Sequence, residues 1–282
     1  MKRKQVKKNT YTSRQIFIKK FMKNKLAVVG SLIIIVFVIM AIFAPIFATF
    51  DPNTTDLLNI RTSPNKVHIL GTDDLGRDIF SRLLYGGRVS IAVGVASMML
   101  QILIGVTIGV IAGYFGGLID KIIMRIVDII MCFPFFVIAI ALAAVIGGSI
   151  TNLVLIIGML MWPVITRIVR GEVLVTKQNE YILAAKALGF NTFEIIIHHI
   201  IPNIISAILV SSTLCIAQGI LMEATLSFLG LGVNPPTPSW GNMLVAAQNM
   251  SVLSHKWWMW IPAGMSVVLI VLSVNFVGDG LR

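Results

Sequence analysis

Residues 180–203 read EYILAAKALGFNTFEIIIHHIIPN and form the longest soluble-looking interruption in the second half of an otherwise apolar chain. Residues 181–188 are rich in good helix formers, which predicts a helix of two turns, about 12 Å long. Gly189 follows where a helix usually stops, because glycine enters the left-handed conformation without steric cost. A second helical run, residues 192–201, leads through Pro202 into the next apolar segment. The pattern predicts a short helix that lies across a membrane surface between two spans.

Small side chains at Ala184, Ala185 and Ala187 would let a partner approach this short helix closely. The stretch resembles the cytoplasmic coupling loop of ABC-importer permeases, whose pattern is Glu-Ala-Ala, three residues, Gly, nine residues, then Ile-x-Leu-Pro. The chain departs from that pattern at Leu183, which replaces the Glu, and at His199, which replaces the first Ile. The resemblance implies an ATPase-coupling site formed by Glu180, Tyr181, Ala184, Ala185, Gly189 and Pro202. The alternative from the residues alone is an ordinary amphipathic connector.

Composition indicates an integral membrane protein. Of 282 residues, 57% are hydrophobic and only 12% charged, and a soluble domain carries about twice that charged fraction. The formal net charge is nevertheless +11, and ten of the 23 Lys and Arg lie in residues 1–25. A hydrophobic span follows at once, so this basic tail is interpreted as a topology and lipid signal rather than a nucleic-acid arm.

The apolar runs predict the fold class, because about 20 apolar residues cross a bilayer core of about 30 Å. Spans in lipid must satisfy their own backbone hydrogen bonds, so an all-α membrane protein is expected. Six transmembrane helices are predicted, at residues 26–50, 89–115, 129–146, 150–169, 200–221 and 257–277. The fourth is the weakest, since Trp162-Pro163 interrupts it. Gly105, Gly109 and Gly113 share one face of the second helix and favour close packing there.

Orientation follows from the distribution of Lys and Arg. With both termini in the cytoplasm, cytoplasmic segments hold 17 of these residues and outside segments hold six, as the positive-inside rule requires. Behind the tail, a permease domain at residues 26–282 is then expected. It has an outside loop at 51–88, a cytoplasmic coupling loop at 171–199 and an outer segment at 222–256. A cell-membrane protein with several passes is predicted.

The outside loop ends in GTDDLGRDIFSRLLYGGRVS, residues 71–90. Asp74, Asp78 and Arg82 are spaced by four, which favours an interfacial helix held by ion pairs. The string also resembles the Gly-Thr-Asp-x-x-Gly-Arg-Asp-x-x-Ser-Arg signature of C-type peptide permeases and matches it at every named position. The resemblance implies an outer signature or gate that comprises Gly71, Asp73, Arg77, Asp78, Arg82 and Glu223.

Two further strings resemble the same family. MRIVDIIMCFP, residues 124–134, resembles its third span. Arg125 and Asp128 within this string are predicted to pair, with a gating role as the alternative, because unpaired charge at membrane depth costs about 2.5–3.5 kcal/mol. EATLSFLGLGVNPPTPSWGNML, residues 223–244, resembles the family's outer segment, where short helices are expected at 226–232 and 242–248. Glu223 is predicted to face a pore or a partner, or alternatively to cap a helix.

Several kinds of site are missing from the sequence. No Gly-x-x-x-x-Gly-Lys-Ser/Thr occurs, so the chain has no nucleotide cradle and energy must come from another subunit. There is neither a Ser-His-Asp nor a His-Glu-x-x-His arrangement, and Cys132 and Cys215 give no disulfide framework or zinc spacing. His198 and His199 are adjacent, so their side chains diverge on a helix and make a poor metal site. Neither an enzyme nor a metal site is expected.

The resemblance covers residues 26–281 and identifies a C-type transmembrane subunit of a peptide-class ABC importer. It implies a heterodimer with a second permease subunit, two cytoplasmic ATPase subunits that bind ATP and Mg, and an extracytoplasmic substrate-binding protein. No cofactor is expected on this chain itself. A nickel or metallophore importer of the same architecture is the alternative. A secondary transporter or an intramembrane enzyme would need ionisable groups deep in the spans, and the span centres show none.

Overall fold

The computed structural model describes residues 21–281, and the ordered structure within them is helical. Among these residues there is no β-strand, and the extended pairing is limited to one isolated bridge between Thr72 and Asp78. Most of the basic tail predicted at residues 1–25, together with Arg282, lies outside the described residues.

The helices are named here in chain order. The first half of the chain contains α1 (Lys25–Ile42), α2 (Ala44–Phe47), α3 (Ile79–Phe115), α4 (Gly117–Cys132), α5 (Phe135–Ile146) and α6 (Ile150–Thr176). The second half contains α7 (Glu180–Ala187), α8 (Thr192–Glu194), a π-helical segment (Ile195–Ile200), α9 (Ile201–Phe228), α10 (Trp240–Leu244), α11 (Met250–His255) and α12 (Ile261–Leu281). Two 3-10 turns lie at Val245–Gln248 and Trp257–Met259.

Five helical runs in the described chain are long and apolar enough to cross a membrane: α1, α3, α6, Thr192–Phe228 and α12. Helices α4 and α5 would supply a sixth span if they are counted together, but they are bent by 78°. The predicted third span is therefore broken rather than straight. Pro134 explains the break, because proline lacks an N–H and disfavours a helical conformation at the residue before it. An all-α membrane fold is confirmed.

Several helix boundaries differ from the sequence prediction. Helix α3 begins at Ile79, ten residues before the predicted start at residue 89, because Asp78 caps its first turn. Pro163 lies inside α6 without ending it. Helix α9 continues to Phe228, so the separate short helix predicted at residues 226–232 is wrong, whereas α10 and the following turn occupy the second predicted region.

The packing of α3 against α6 forms the centre of the bundle. The glycine face of α3 meets β-branched side chains of α6 at successive turns: Gly105 meets Ile165, Gly109 meets Val169 and Gly113 meets Val173. A β-carbon on any of the three glycines would lie 2.6–2.9 Å from the Cβ atom of its partner. The predicted role of this face in close packing is confirmed, and the backbones could not approach this closely with larger residues.

We expect Gly109→Ala to destabilise the protein, because the new methyl group would also lie 2.9 Å from the carbonyl oxygen of Thr166. Overpacking of this kind costs about 1–3 kcal/mol. Gly171→Ala on α6 is the matched control, since nothing lies within 4 Å of its β-carbon position. Melting of the detergent-purified protein, followed by size-exclusion chromatography, should show a lower midpoint for Gly109→Ala alone. Equal midpoints would contradict the importance of this contact.

Candidate functional site

The signature segment, residues 71–82, is built around the buried carboxylate of Asp78, which is 2% exposed. This carboxylate accepts hydrogen bonds from the backbone N–H and the hydroxyl of Ser81, both at 2.8 Å, and so caps α3. The Nδ1 atom of His68 lies 3.0 Å from its other oxygen. Gly71 has a φ of +73°, and a β-carbon there would lie 2.4 Å from the carbonyl oxygen of Thr62. The segment is therefore held tightly against the preceding loop.

Asp73 organises the turn that precedes the cap. Its carboxylate accepts hydrogen bonds from the backbone N–H groups of Leu75 at 2.9 Å and Arg77 at 3.0 Å. The Nε atom of Arg77 donates to the same carboxylate at 2.7 Å. The side chains of Asp73 and Arg77 are largely buried in this arrangement. Their ion pair therefore stabilises the conformation of the turn.

The predicted ion-paired helix through Asp74, Asp78 and Arg82 does not form. Asp74 and Asp78 both precede Ile79, where α3 begins, so they do not share a helical face with Arg82. Asp74 instead pairs with Arg61 of the preceding loop. The spacing of four was thus a misleading signal, because the helix cap falls in the middle of the pattern.

Arg82 joins three separate segments and is only 5% exposed. Its Nη1 atom donates to the carbonyl oxygens of Pro52 at 2.9 Å and Pro236 at 3.4 Å. Its Nε atom lies 3.5 Å from Oδ2 of Asp73. One guanidinium group therefore ties the start of the outside loop, the signature segment and the outer segment together.

Glu223 on α9 is fully buried, at 0% exposure. Its carboxylate accepts hydrogen bonds from the hydroxyls of Ser90 at 2.7 Å and Ser227 at 2.8 Å. The Ser90 hydroxyl oxygen in turn accepts from the backbone N–H of Trp240 at 3.1 Å. Sequence reasoning missed these partners, and no local signal connects Ser90 with Glu223 across 133 residues. The group links α3, α9 and α10.

A cavity of about 730 Å³ lies between the signature segment and the outer segment. Asp73, Asp74, Arg77 and Arg82 line one side, while residues 230–249 contribute much of the other side. Four charged groups of the signature segment thus converge on one space, whereas Glu223 does not line it. Within residues 21–281, no group of three His, Cys, Asp or Glu side chains could hold a metal ion.

The connector loop, residues 177–203, contains the predicted short helix as α7. Ile182 and Ala185 are buried at 4% and 6% exposure, and Ile182 packs in the core with Val173. Ala184 and Ala187 are exposed and lie on the opposite side of the helix. The expectation that Ala185 faces a partner is therefore wrong, because Ala185 is buried against other residues of this chain.

Gly189 follows the end of α7, as the sequence predicts. Gly189 has a φ of +86°, and Asn191 forms a capping box with Glu194 before the π-helical segment. Glu180 lies in the first turn of α7 and Pro202 in the first turn of α9.

Exposed apolar side chains surround α7, and sequence reasoning did not single them out. Tyr181 is 43% exposed, Leu188 78%, Phe190 46% and Phe193 72%. The Phe190 ring packs edge-on against the imidazole of His199, with ring centroids 5.9 Å apart. These residues lie in or directly after α7 in the chain, so the connector loop presents exposed apolar side chains as well as the exposed Ala184 and Ala187.

Ion pairs join α4 to α6 near the connector loop. Arg170 pairs with Asp120, and its Nη2 atom lies 2.6 Å from Oδ2 of that carboxylate. Arg167 pairs with Asp128 at 2.5 Å. The predicted pair between Arg125 and Asp128 is therefore wrong: α6 packs beside α4 and places Arg167 closer to the carboxylate than its neighbour on the same helix.

Double-mutant cycles with alanine substitutions should rank these ion pairs by their coupling free energies. We expect a coupling of about 1 kcal/mol for Asp120 with Arg170, whose side chains are 15% and 30% exposed. Asp128 with Arg167 should couple more weakly, because both side chains are nearly half exposed. Arg125 with Asp128 serves as the control and should be additive. Thermal midpoints of the four members of each cycle give the comparison, and coupling confined to Arg125 with Asp128 would refute the assignment.

The signature segment and the connector loop lie at opposite ends of α3. The signature segment leads into the first turn of this helix. At the other end, Lys177 of the connector loop donates from its Nζ atom to the carbonyl oxygen of Gly113, in the last turn of α3, at 2.7 Å. Helix α3 has 37 residues and is about 55 Å long, which exceeds a bilayer core of about 30 Å. The two segments are therefore separated along α3 by more than the thickness of a bilayer core.

Comparison with known proteins gives consistent matches over most of the chain. A family described as binding-protein-dependent transport system inner membrane component matches residues 105–282. A second, described as the N-terminal transmembrane domain of oligopeptide transport permease C, matches residues 12–64.

Three named relatives are similar to this chain at nearly equal sequence identity. The oligopeptide transport system permease protein of Bacillus subtilis is 42% identical over 264 residues, which cover 93% of this chain and 86% of the relative. A dipeptide transport system permease protein of Alkalihalophilus pseudofirmus is 43% identical, covering 94% and 86%. A glutathione transport system permease protein of Shigella flexneri is 41% identical, covering 94% and 88%.

Proposed function

The chain belongs to the family of binding-protein-dependent transport system inner membrane components, and we propose that it is one of two permease subunits of an ATP-driven peptide importer. It is a membrane permease subunit of the C type with several passes. The names of its relatives, which refer to oligopeptides, dipeptides and glutathione, support a peptide substrate over the nickel alternative. In this proposal a second permease subunit completes the translocation pathway.

The observation that carries this proposal is the placement of two different sites at the two ends of α3. One end has a cavity of about 730 Å³ lined by two acids and two arginines of the signature segment. The other end has a short helix with a small-residue face and exposed apolar neighbours. An importer needs a substrate entrance on one side of the membrane and an energy input on the other. This chain offers a suitable surface for each.

We infer that an ATPase subunit docks on the outward face of α7 and that α7 transmits the conformational change driven by ATP hydrolysis to this chain. Ala184 and Ala187 present only methyl groups, so a partner backbone could approach α7 closely. Tyr181, Leu188 and Phe193 would add apolar contact area around that approach, and exposed apolar patches of this kind mark interaction sites.

Motion of α7 would reach the spans through contacts within this chain. Ile182 is buried in the same core as Val173 of α6, and Lys177 between α6 and α7 binds the end of α3. Asp120 and Arg170 tie α4 to the same region. A displacement of α7 driven by ATP hydrolysis in the partner would therefore move α3, α4 and α6 together. No step of this mechanism needs a nucleotide or metal on this chain.

Ala184→Glu tests the docking face. The substitution adds a bulky charge to an exposed position, so we expect the chain to fold but the ATPase to attach less well and transport to fall at least tenfold. The complete complex in liposomes would be assayed for uptake of labelled di- to pentapeptides, with Ni²⁺ in parallel, and for substrate-stimulated ATP hydrolysis. Gln178→Glu is the matched control, because it adds the same charge to an exposed residue of the same loop outside α7.

Co-purification of the ATPase distinguishes a variant that fails to fold from a variant that folds but does not bind the ATPase. Ala185→Glu should lower the amount of folded chain, since Ala185 is buried, whereas Ala184→Glu should mainly weaken ATPase attachment. Normal peptide uptake by Ala184→Glu would mean that α7 is only a connector. Uptake of Ni²⁺ in place of peptide would reject the proposed substrate and keep the coupling role.

Thiol labelling tests the proposed orientation, in which the termini and the connector loop are cytoplasmic. In a background with Cys132 and Cys215 replaced, Leu58→Cys should react with an impermeant reagent in intact cells, because Leu58 is 96% exposed. Gln178→Cys, also exposed, should react only after the membrane is permeabilised. The reverse pattern would invert the topology and remove the basis for ATPase docking at α7.

A further inference from the structure

An apolar groove of about 310 Å³ lies between the end of α1 and the first half of α3. Its walls are formed by short aliphatic side chains from both helices: Val38, Ala41, Ile42, Ile91, Ala92 and Val95. Arg88 is the one polar residue among the lining residues. The groove therefore pairs one cationic end with an apolar body, and it plays no part in the function proposed above.

Arg88 makes few contacts for a guanidinium group. Its Nη2 atom donates to the carbonyl oxygen of Ile42 at 3.4 Å, and its central carbon lies 5.6 Å from the centroid of the Tyr85 ring. None of the ion pairs within residues 21–281 involves Arg88. A guanidinium group has five N–H donors, so most of its hydrogen-bonding capacity is left for another partner, and no carboxylate of the described residues pairs with its charge.

The depth of Arg88 in the membrane indicates the chemistry of that partner. From Arg88 to the end of α3 at Phe115 the helix rises about 40 Å, close to the 40–45 Å thickness of a bilayer with its headgroups. When Phe115 lies at one surface, Arg88 lies among the headgroups at the other. Tyr85 fits this level, because tyrosine is enriched at membrane interfaces.

We propose that this groove binds a membrane phospholipid. The phosphate diester accepts hydrogen bonds from Arg88, and one acyl chain lies along Ala41 and Ala92 between α1 and α3. Arginine binds phosphate through paired hydrogen bonds. The order of polarity along the groove, with the cation at the mouth and aliphatic walls below, is the order of polarity along a phospholipid.

A helix of another protein fits this groove less well. The groove is a slot of about 310 Å³, at the lower end of the volume of ligand clefts, about 300–1,000 Å³, whereas one turn of an α-helix with its side chains, about 10–12 Å across with a pitch of about 5.4 Å, occupies more than about 400 Å³. A protein helix over the slot would also cover Arg88, and a covered charge needs an acid of its own. A lipid supplies both the narrow chain and the negative charge.

Two substitutions test the two halves of the site independently. Arg88→Gln removes the charge, and Ala92→Phe fills the slot but keeps Arg88. In the complex purified from its own membranes in mild detergent, native mass spectrometry should show a tightly retained phospholipid that each variant loses at least tenfold more readily. Re-added phospholipid should raise the melting temperature of the wild type and of neither variant.

The controls match each change. Lys256→Gln removes a positive charge outside the groove, and Leu103→Phe enlarges an exposed apolar residue of α3 away from it. Both should retain lipid as the wild type does. Inorganic phosphate in excess should not displace the lipid, because the acyl chain contributes to binding.

Three results would overturn the proposal. The first is unchanged lipid retention in both Arg88→Gln and Ala92→Phe. The second is displacement by inorganic phosphate alone, which would make the site one for a free anion. The third is capture of a protein rather than a lipid by a photoreactive residue placed at Val95. None of these readouts depends on transport, so the lipid site and the proposed function can fail separately.

Discussion

The close contact between α3 and α6 is the constraint on which the other parts of the molecule depend. Three glycines on α3 lie directly against Ile165, Val169 and Val173 of α6. Inside a bilayer the surrounding lipid is as apolar as the side chains, so close packing has to hold the helices together. Because α3 begins at the signature segment and α6 runs into α7, this one seam sets the positions of both candidate sites.

Polar contacts near the two ends of α3 connect segments that are distant in sequence. Arg82 joins the loop at Pro52 to the segment at Pro236, and Lys177 joins α6 to the end of α3. Glu223 is the most completely buried of these groups, and its carboxylate accepts hydrogen bonds from two hydroxyls. Removing one partner of a buried charged group costs far more than the contact itself contributes. The two ends can therefore move only as connected units.

The sequence predicted what depends on local pattern and missed what depends on neighbours. Apolar length located the spans, glycine spacing located the seam, and Gly189 located the end of α7. The partner of Asp128 was wrong, because Arg167 is 39 residues away and only the packing of α6 brings it close. The orientation of Ala185 was wrong for the same reason. The early start of α3 was missed, although Asp78 followed three residues later by Ser81 allows a capped helix start.

Most residues that carry the family resemblance serve the architecture. Gly71, Asp78 and Ala185 are buried, so a partner would reach them only by opening the fold, whereas Arg82 lines the cavity of about 730 Å³. Ala184 of the same motifs remains exposed, and exposed residues outside the motifs lie beside it in the chain or in the loop that precedes the signature segment, such as Leu188 and Leu58. Substitution at such exposed positions leaves the packing intact. In the docking proposed above, the buried motif residues would therefore hold α7 in position, and the exposed residues beside them would contact the partner.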